Sequence, residues 1–283
     1  MKYTLYFLAF FLFQSCKNHG QLRYIDQLPK KLSETSGMAQ FAPESAWLIE
    51  DSGNSDNLYK IDFKGNIIKH LDIKNQKNID WEDLTKDKKG NLYIGDFGNN
   101  ENLRKNLAIL KMTNPEVEKG DKIDVEVIKF NYPEQQEFPP KREDLVYDAE
   151  AFFHFDNHLY IFTKNRANPF TGETFVYKVQ DQKGSYEAEF LGKIKLCSDW
   201  NTCKVTSADI SPDGKKIVLL GYGKIWLLTN FYSGDISKVI IKEVDLEIRT
   251  QLESIFFTDN KTLLLSDEVR DGSGGNLYSY TLD

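Results

Sequence analysis

Residues 80–100 read DWEDLTKDKKGNLYIGDFGNN. Two short strand-like runs, WEDLT and NLYIG, flank the turn DKKGN, where Gly90 and Asn91 accept left-handed backbone cheaply. Such runs are too short for helices and carry the residue types that favour strands. Two more follow, NLAILKMT (106–113) and DVEVIKFNYP (124–133), so the segment reads as one sheet of four antiparallel strands.

The same order recurs along the chain. Residues 33–73 form a first unit opening on SETSGMAQF, 81–133 the second, 149–196 a third opening on AEAFFHFDN, and 206–246 a fourth opening on TSADISPDGK. The fifth, 252–283, has only three strands: LESIFF, TLLLSD and NLYSYT. QLRYIDQL (21–28) stands ahead of the first unit with no partner and supplies the missing strand. This predicts an all-β β-propeller of four-stranded antiparallel blades, closed by an N-terminal strand in the last blade. The count is five, or six if one blade is too degenerate to read. The long connections NNENLRKN, NRANPFTGE and EVRDGSGG all join second to third strands and so lie on one face, where function is expected.

The 283 residues are 40% hydrophobic and 28% charged, with a formal charge of −7, which suits a soluble globular protein. Lys and Arg are scattered, so no nucleic-acid surface is expected. MKYTLYFLAFFLFQSC opens with one Lys and an apolar stretch too short to span a bilayer, which reads as a signal peptide at 1–15. Ser15-Cys16 is similar to a bacterial lipobox, predicting lipidation of Cys16 and a tether at 16–20, with one propeller domain at 21–283. An ordinary signal peptide or a buried strand is the alternative. Membrane contact is then through the lipid alone, and the polar CKNHGQ favours the periplasmic face of the outer membrane. In that oxidising compartment the remaining pair, Cys197 and Cys203, is expected to bond.

Aligning the units on their first strands puts Glu34, Glu82, Glu150 and Glu253 at matching places, with Ser207 in the fourth unit. Innermost strands face the central channel, and converging carboxylates need a cation between them. Calcium, which takes six to eight oxygens, is the cofactor this predicts. Asp80 and Asp148 alternate to the same side as Glu82 and Glu150. Second strands end beside this mouth at Asp51, Asn54, Asp96, Asn99, Asn100, Asp267 and Glu268, and the repeated Asp-x-Gly-Asn is either a ligand set or a turn. The third unit offers Lys164, Asn165 and Arg166 there, so an acidic side is expected to face a basic one. Phe97, Phe170 and Tyr222 are expected on the rim. Trp81 reads as packing between blades.

The series ETSGMA, DWEDLTKDKKGNLYIGDFGNN, YDAEAFF, VTSADISPDG and LESIFF resembles the SdiA-regulated and phytase-like (esterase-like) group of bacterial propellers. The resemblance implies a five- or six-bladed propeller, often secreted or lipidated. The wider superfamily holds calcium through Glu, Asn and Asp at the channel mouth, which points to Glu34, Asn99 and Asp267. No catalytic His stands near these positions, and Gly-x-Ser-x-Gly, phosphate-loop and paired-His signatures are absent. Three readings follow: a monomeric, lipid-anchored envelope protein that binds a small anionic ligand or a partner protein at its mouth, a calcium-dependent hydrolase of esters, lactones or phosphoesters, or a structural scaffold with a stabilising metal.

Overall fold

The computed structural model describes residues 18–231 and 235–283; the signal peptide and the lipidated Cys16 expected from sequence lie outside them. The described residues form five sheets. Blade 1 runs Thr35–Ala39, Ser45–Glu50, Asn57–Asp62 and Ile67–Ile73 from the inside outward. Blade 2 is Trp81–Lys86, Leu92–Asp96, Ala108–Met112 and Glu126–Asn131. Blade 3 is Asp148–Phe155, His158–Lys164, Glu173–Gln180 and Glu189–Lys195. Ser207–Ile210, Ile217–Gly221, Lys224–Thr229 and Ile240–Asp245 make blade 4. Blade 5 is Leu252–Phe257, Thr262–Asp267 and Asn276–Thr281, completed by Arg23–Gln27 antiparallel to its third strand.

The propeller is therefore five-bladed and closed as the sequence predicts. Two additions were not legible. Lys122–Ile123 pairs parallel to the outer strand of blade 1, and Gly184–Glu187 parallel to that of blade 2. Each belongs to the chain of a following strand connection that leans back over the preceding blade's edge, covering otherwise unpaired backbone.

The core is divided into five apolar clusters, one between each pair of adjacent blades. Trp47 and Trp81 fill the space between blades 1 and 2, and Trp226 that between blades 3 and 4; all three are fully buried. Each blade thus uses both faces, which is why inner strands read as unbroken buried runs instead of alternating. Truncating one of these indoles to Ala should cost about 3–5 kcal/mol.

Inner strands have a free edge toward the channel, and polar side chains of the neighbouring blade satisfy it. Asp83 accepts from Leu84 N, from Phe152 N in blade 3, and from Ser207 Oγ and Ala208 N in blade 4. Ser207 Oγ accepts from Ile255 N and Asp209 from Phe257 N, both in blade 5. Asp83 therefore ties three blades together and stands across the channel, with the loop-bearing mouth at one end. A cavity of about 930 Å³ at the hairpin end is lined by residues including Phe41, Lys86, Asp209, Ile210 and Phe257.

Candidate functional site

Each inner strand begins with a one-residue bulge. Pairing skips Ser36 in blade 1, Glu82 in blade 2, Glu150 in blade 3 and Glu253 in blade 5. In blade 4, Thr206 N bonds to Leu220 O while Ser207 pairs with Leu220, so Thr206 holds the bulge. The bulge turns its side chain into the mouth and keeps the following residue facing the channel. Two positions earlier lies a second ring: Glu34, Asp80, Asp148, Lys204 and Gln251. The structure thus corrects the sequence alignment at two places. Ser36, not Glu34, is the counterpart of Glu82, and Thr206, not Ser207, is the blade-4 counterpart.

The two Asp-x-Gly-Asn copies are also out of step by one residue. Glu50 pairs with Thr35 and Asp96 with Trp81, so Asp96 is the counterpart of Glu50 and not of Asp51. A one-residue slip reverses a side chain. Asp51 consequently faces the mouth, whereas Asp96 accepts from Arg104 Nη2 at 2.9 Å and from Asp80 N at 3.2 Å. Asn99 closes its own loop, accepting from Arg104 N and donating to Tyr147 O, while its backbone N–H donates to Asp148. Asn54 donates to Glu34 Oε2 at 2.5 Å and to Asp51 O.

One group of acids gathers at the mouth with no ion pair to answer it, although Asp51 accepts from Ser52 N. Carboxylate atoms of Asp51, Asp80 and Glu82 lie within 4.8 Å of one another. Glu82 is only 7% exposed, and its carboxylate accepts no hydrogen bond from the described residues. The backbone of Gly98 closes the pocket: a Cβ there would stand 2.0 Å from Glu82 Oε1 and 2.5 Å from Asp80. Burial, then the charges of Glu150, Asp51, Asp80 and Asp148, hold the Glu82 carboxyl well above the usual range. Burial and Asp80 push Asp51 up to about 6 against the pull of Ser52 and Lys164. Glu268, half-buried, is pushed up to about 7 by that burial and then by Glu253, Asp51 and Glu34.

Blade 3 carries the same acids in a different state. Arg166 reaches Asp148 at 2.6 Å and Glu150 at 3.0 Å, and Lys164 reaches the other Glu150 oxygen at 2.9 Å. Arg166 also donates to Asn100. The basic side expected from sequence is present, but it is largely spent on neutralising Asp148 and Glu150. Asn165 donates to Thr171 and to Glu173 O, shaping its loop. Glu253 accepts from the Tyr222 hydroxyl at 2.9 Å. Glu268 accepts from Gln251 at 2.7 Å.

Of the five residues assigned to metal by sequence, Glu82 alone belongs to this acidic group. Asp267 is turned away, its oxygens taken by Asn276, Tyr278 and Thr250. Phe97, expected on the rim, is fully buried with its ring over Gly95 and edge-on to Phe152. Trp200 is the exposed aromatic instead, at 43%. It sits in the loop closed by the Cys197–Cys203 disulfide, whose Cα atoms are 5.5 Å apart. Sequence reasoning missed Lys204, which becomes a mouth residue only once the bulge register equates it with Asp80 and Asp148. A second acid–His group, Asp87, His154 and Asp181, lies near the hairpin end. Its oxygens are already committed to Asn91, Tyr93 and His154.

No family model and no curated protein matches the chain. Solved structures do. The PQQ-bound aldose sugar dehydrogenase of Streptomyces coelicolor superposes with a TM-score of 0.51 at 8% identity, over 92% of this chain and 97% of that one. A gluconolactonase from Xanthomonas campestris gives 0.47 at 10% identity, covering 89% and 73%. Virginiamycin B lyase from Staphylococcus aureus gives 0.43 at 17%, covering 90% and 69%. At such identities the dehydrogenase likeness speaks for the fold alone, and the other two carry no further argument. The class is a five-bladed β-propeller.

Proposed function

We propose that the protein binds a divalent cation, calcium, through Asp51, Asp80 and Glu82, and uses the surrounding mouth to take up a ligand. The observation that carries this reading is Glu82. Glu82 is nearly buried, no side chain or backbone N–H among the described residues donates to it, and it faces two more acids, so a proton or a cation among the three relieves the repulsion. Hard carboxylate oxygens suit calcium, and Asp51 and Asp80 are half-buried, so water can complete the shell. The SdiA-regulated and phytase-like resemblance of the sequence agrees with a cation at this end of the channel. In the same reading the chain acts as a monomer in the cell envelope, anchored through Cys16 to the periplasmic face of the outer membrane.

Calorimetric titration with calcium tests it. Saturable binding is expected in the unmodified protein, at least a hundredfold weaker in Glu82→Gln, and undiminished in Asp267→Asn. Binding that ignores Glu82→Gln sinks the assignment. The half-buried state of Asp51 and Asp80 favours a second reading, in which a cation with open positions activates water for hydrolysis of an ester, lactone or phosphoester. A screen of such substrates with calcium and with chelator separates it from pure binding.

A further inference from the structure

The blade-4 member of the outer mouth ring is a cation where blades 1, 2 and 3 present acids. Lys204 is 8% exposed, yet its ammonium has no carboxylate and no hydrogen-bond acceptor among the described residues. Its one close contact is the face of Trp200, 3.3 Å from the ring centroid. A cation–π contact offsets only part of the desolvation of a buried ammonium. Its electrostatic neighbours make matters worse: burial, then Arg166 and Lys164, lower its affinity for a proton, leaving it near 8, and Glu150 and Asp148 only partly restore it. Lys164 and Arg166 are already paired with those two carboxylates. The remaining acids of this part of the mouth, Glu253 and Glu82, act on Lys164 and Arg166 and not on Lys204.

Trp200 is held where it is by more than its neighbour. The disulfide closes residues 197–203, and Asp199 O accepts from Cys203 N while the Asp199 carboxylate accepts from Asn201 N and the Thr202 hydroxyl. Phe170 packs edge-on against the indole, with ring centroids 5.3 Å apart. A partly exposed indole on a braced loop over a mostly buried lysine, whose ammonium has no protein acceptor and opens to the mouth, is a built arrangement and not a free surface lysine.

We infer that Lys204, capped by Trp200 and flanked by Arg166, is the docking point for an oxyanion, the carboxylate or phosphate group of the ligand. This deepens the function proposed above and rests on the mouth being the ligand-binding end, but it does not require the cation. An arriving oxyanion supplies the partner that Lys204 lacks and adds a charge-assisted hydrogen bond.

Trp200 supplies the readout. Trp47, Trp81 and Trp226 are fully buried, so a fluorescence change on anion binding should come from Trp200. The full protein in chelator is titrated separately with inorganic phosphate and with acetate at constant ionic strength. A saturable change is expected with one or both, the stronger response naming the preferred oxyanion. It should weaken at least tenfold in Lys204→Met, persist in Lys204→Arg, and vanish as a signal, though not as heat of binding, in Trp200→Phe. No saturable response to either anion, or one unaffected by Lys204→Met, overturns the inference. The two proposals fail separately. Calcium binding without anion binding removes only this one, and anion binding without calcium binding removes only the cation site.

Discussion

Asp80-Trp81-Glu82 and Asp148-Ala149-Glu150 are the same device in adjacent blades: an acid, a blade-packing residue and a bulged glutamate turned into the mouth. Blade 3 answers its acids from its own second strand and loop, with Lys164 and Arg166. Blade 2 brings Phe97 and Gly98 to that place, so its acids meet an apolar ring turned inward and a bare backbone. The neighbouring blade 1 adds Asp51, a further acid. Identical inner-strand chemistry therefore becomes a closed ion-pair network in one blade and an open acidic pocket in the next. What decides between them is the two or three residues at the end of the second strand.

The comparison can be broken from the blade 3 side first. Arg166→Met leaves Asp148 fully buried with one of its donors gone, and orphaning one side of a buried pair costs about 3–5 kcal/mol. Urea unfolding should show this as a lower midpoint at unchanged slope; a loss below about 1 kcal/mol would mean the network is not what holds blade 3. Gly98→Ala attacks the other side. Its methyl must displace the Glu82 and Asp80 carboxylates, an overpacking cost of about 1–3 kcal/mol, and calcium affinity should fall with it.

A third, smaller effect is the pH dependence of the cation-free protein. Asp51 and Asp148 are pushed up to about 6, and Glu50 and Glu268 to about 7, in each case first by burial. An acid held above its unfolded value binds its proton more tightly when folded. Its folded state is therefore favoured at low pH and loses stability as pH rises from about 4 toward 7. The acids held low by their hydrogen bonds, such as Asp245 at about 2, add stability that is complete above about 4 and so do not mask the trend. Melting temperature in chelator should fall between pH 5 and pH 8, and saturating calcium should flatten the decline. A melting point that climbs over this interval would contradict the picture of unpaired acids. Least of all, Glu82→Gln in chelator should raise the melting temperature slightly toward pH 8, since it replaces a carboxyl whose ionisation burial and the neighbouring acids oppose.

The turns, the strand order and the closing strand were all legible in the chain, because each rests on local chemistry such as Asp87-Lys88-Lys89-Gly90 or on counting to a missing fourth strand. The site was only half legible. Glu82, Asp80 and Asp51 could be named as mouth residues, but their grouping could not, because a bulge adds one residue that no periodicity announces. Only with the bulges located at Ser36, Glu82 and Thr206 does Glu34 fall in line with Asp80, two places before the bulge, and Lys204 beside them. The shared Asp-x-Gly-Asn text made Asp51 and Asp96 look equivalent, when the strand register sets them one residue apart and one faces the mouth and the other Arg104.

Arg23–Gln27 closes the ring against Asn276–Thr281, the last strand of the chain. That latch has a consequence in time. Of the propeller's strands the closing one is synthesised first and its partner after all the others, so the fifth blade waits for the other four, on the order of ten seconds or more at ordinary elongation rates. Until then the apolar faces of blades 1 and 5 that later meet around Leu28, Leu48, Phe256 and Leu277 stay uncovered. The protein's most exposed moment to aggregation and to proteases comes before the ring closes, and holding factors should act on it there.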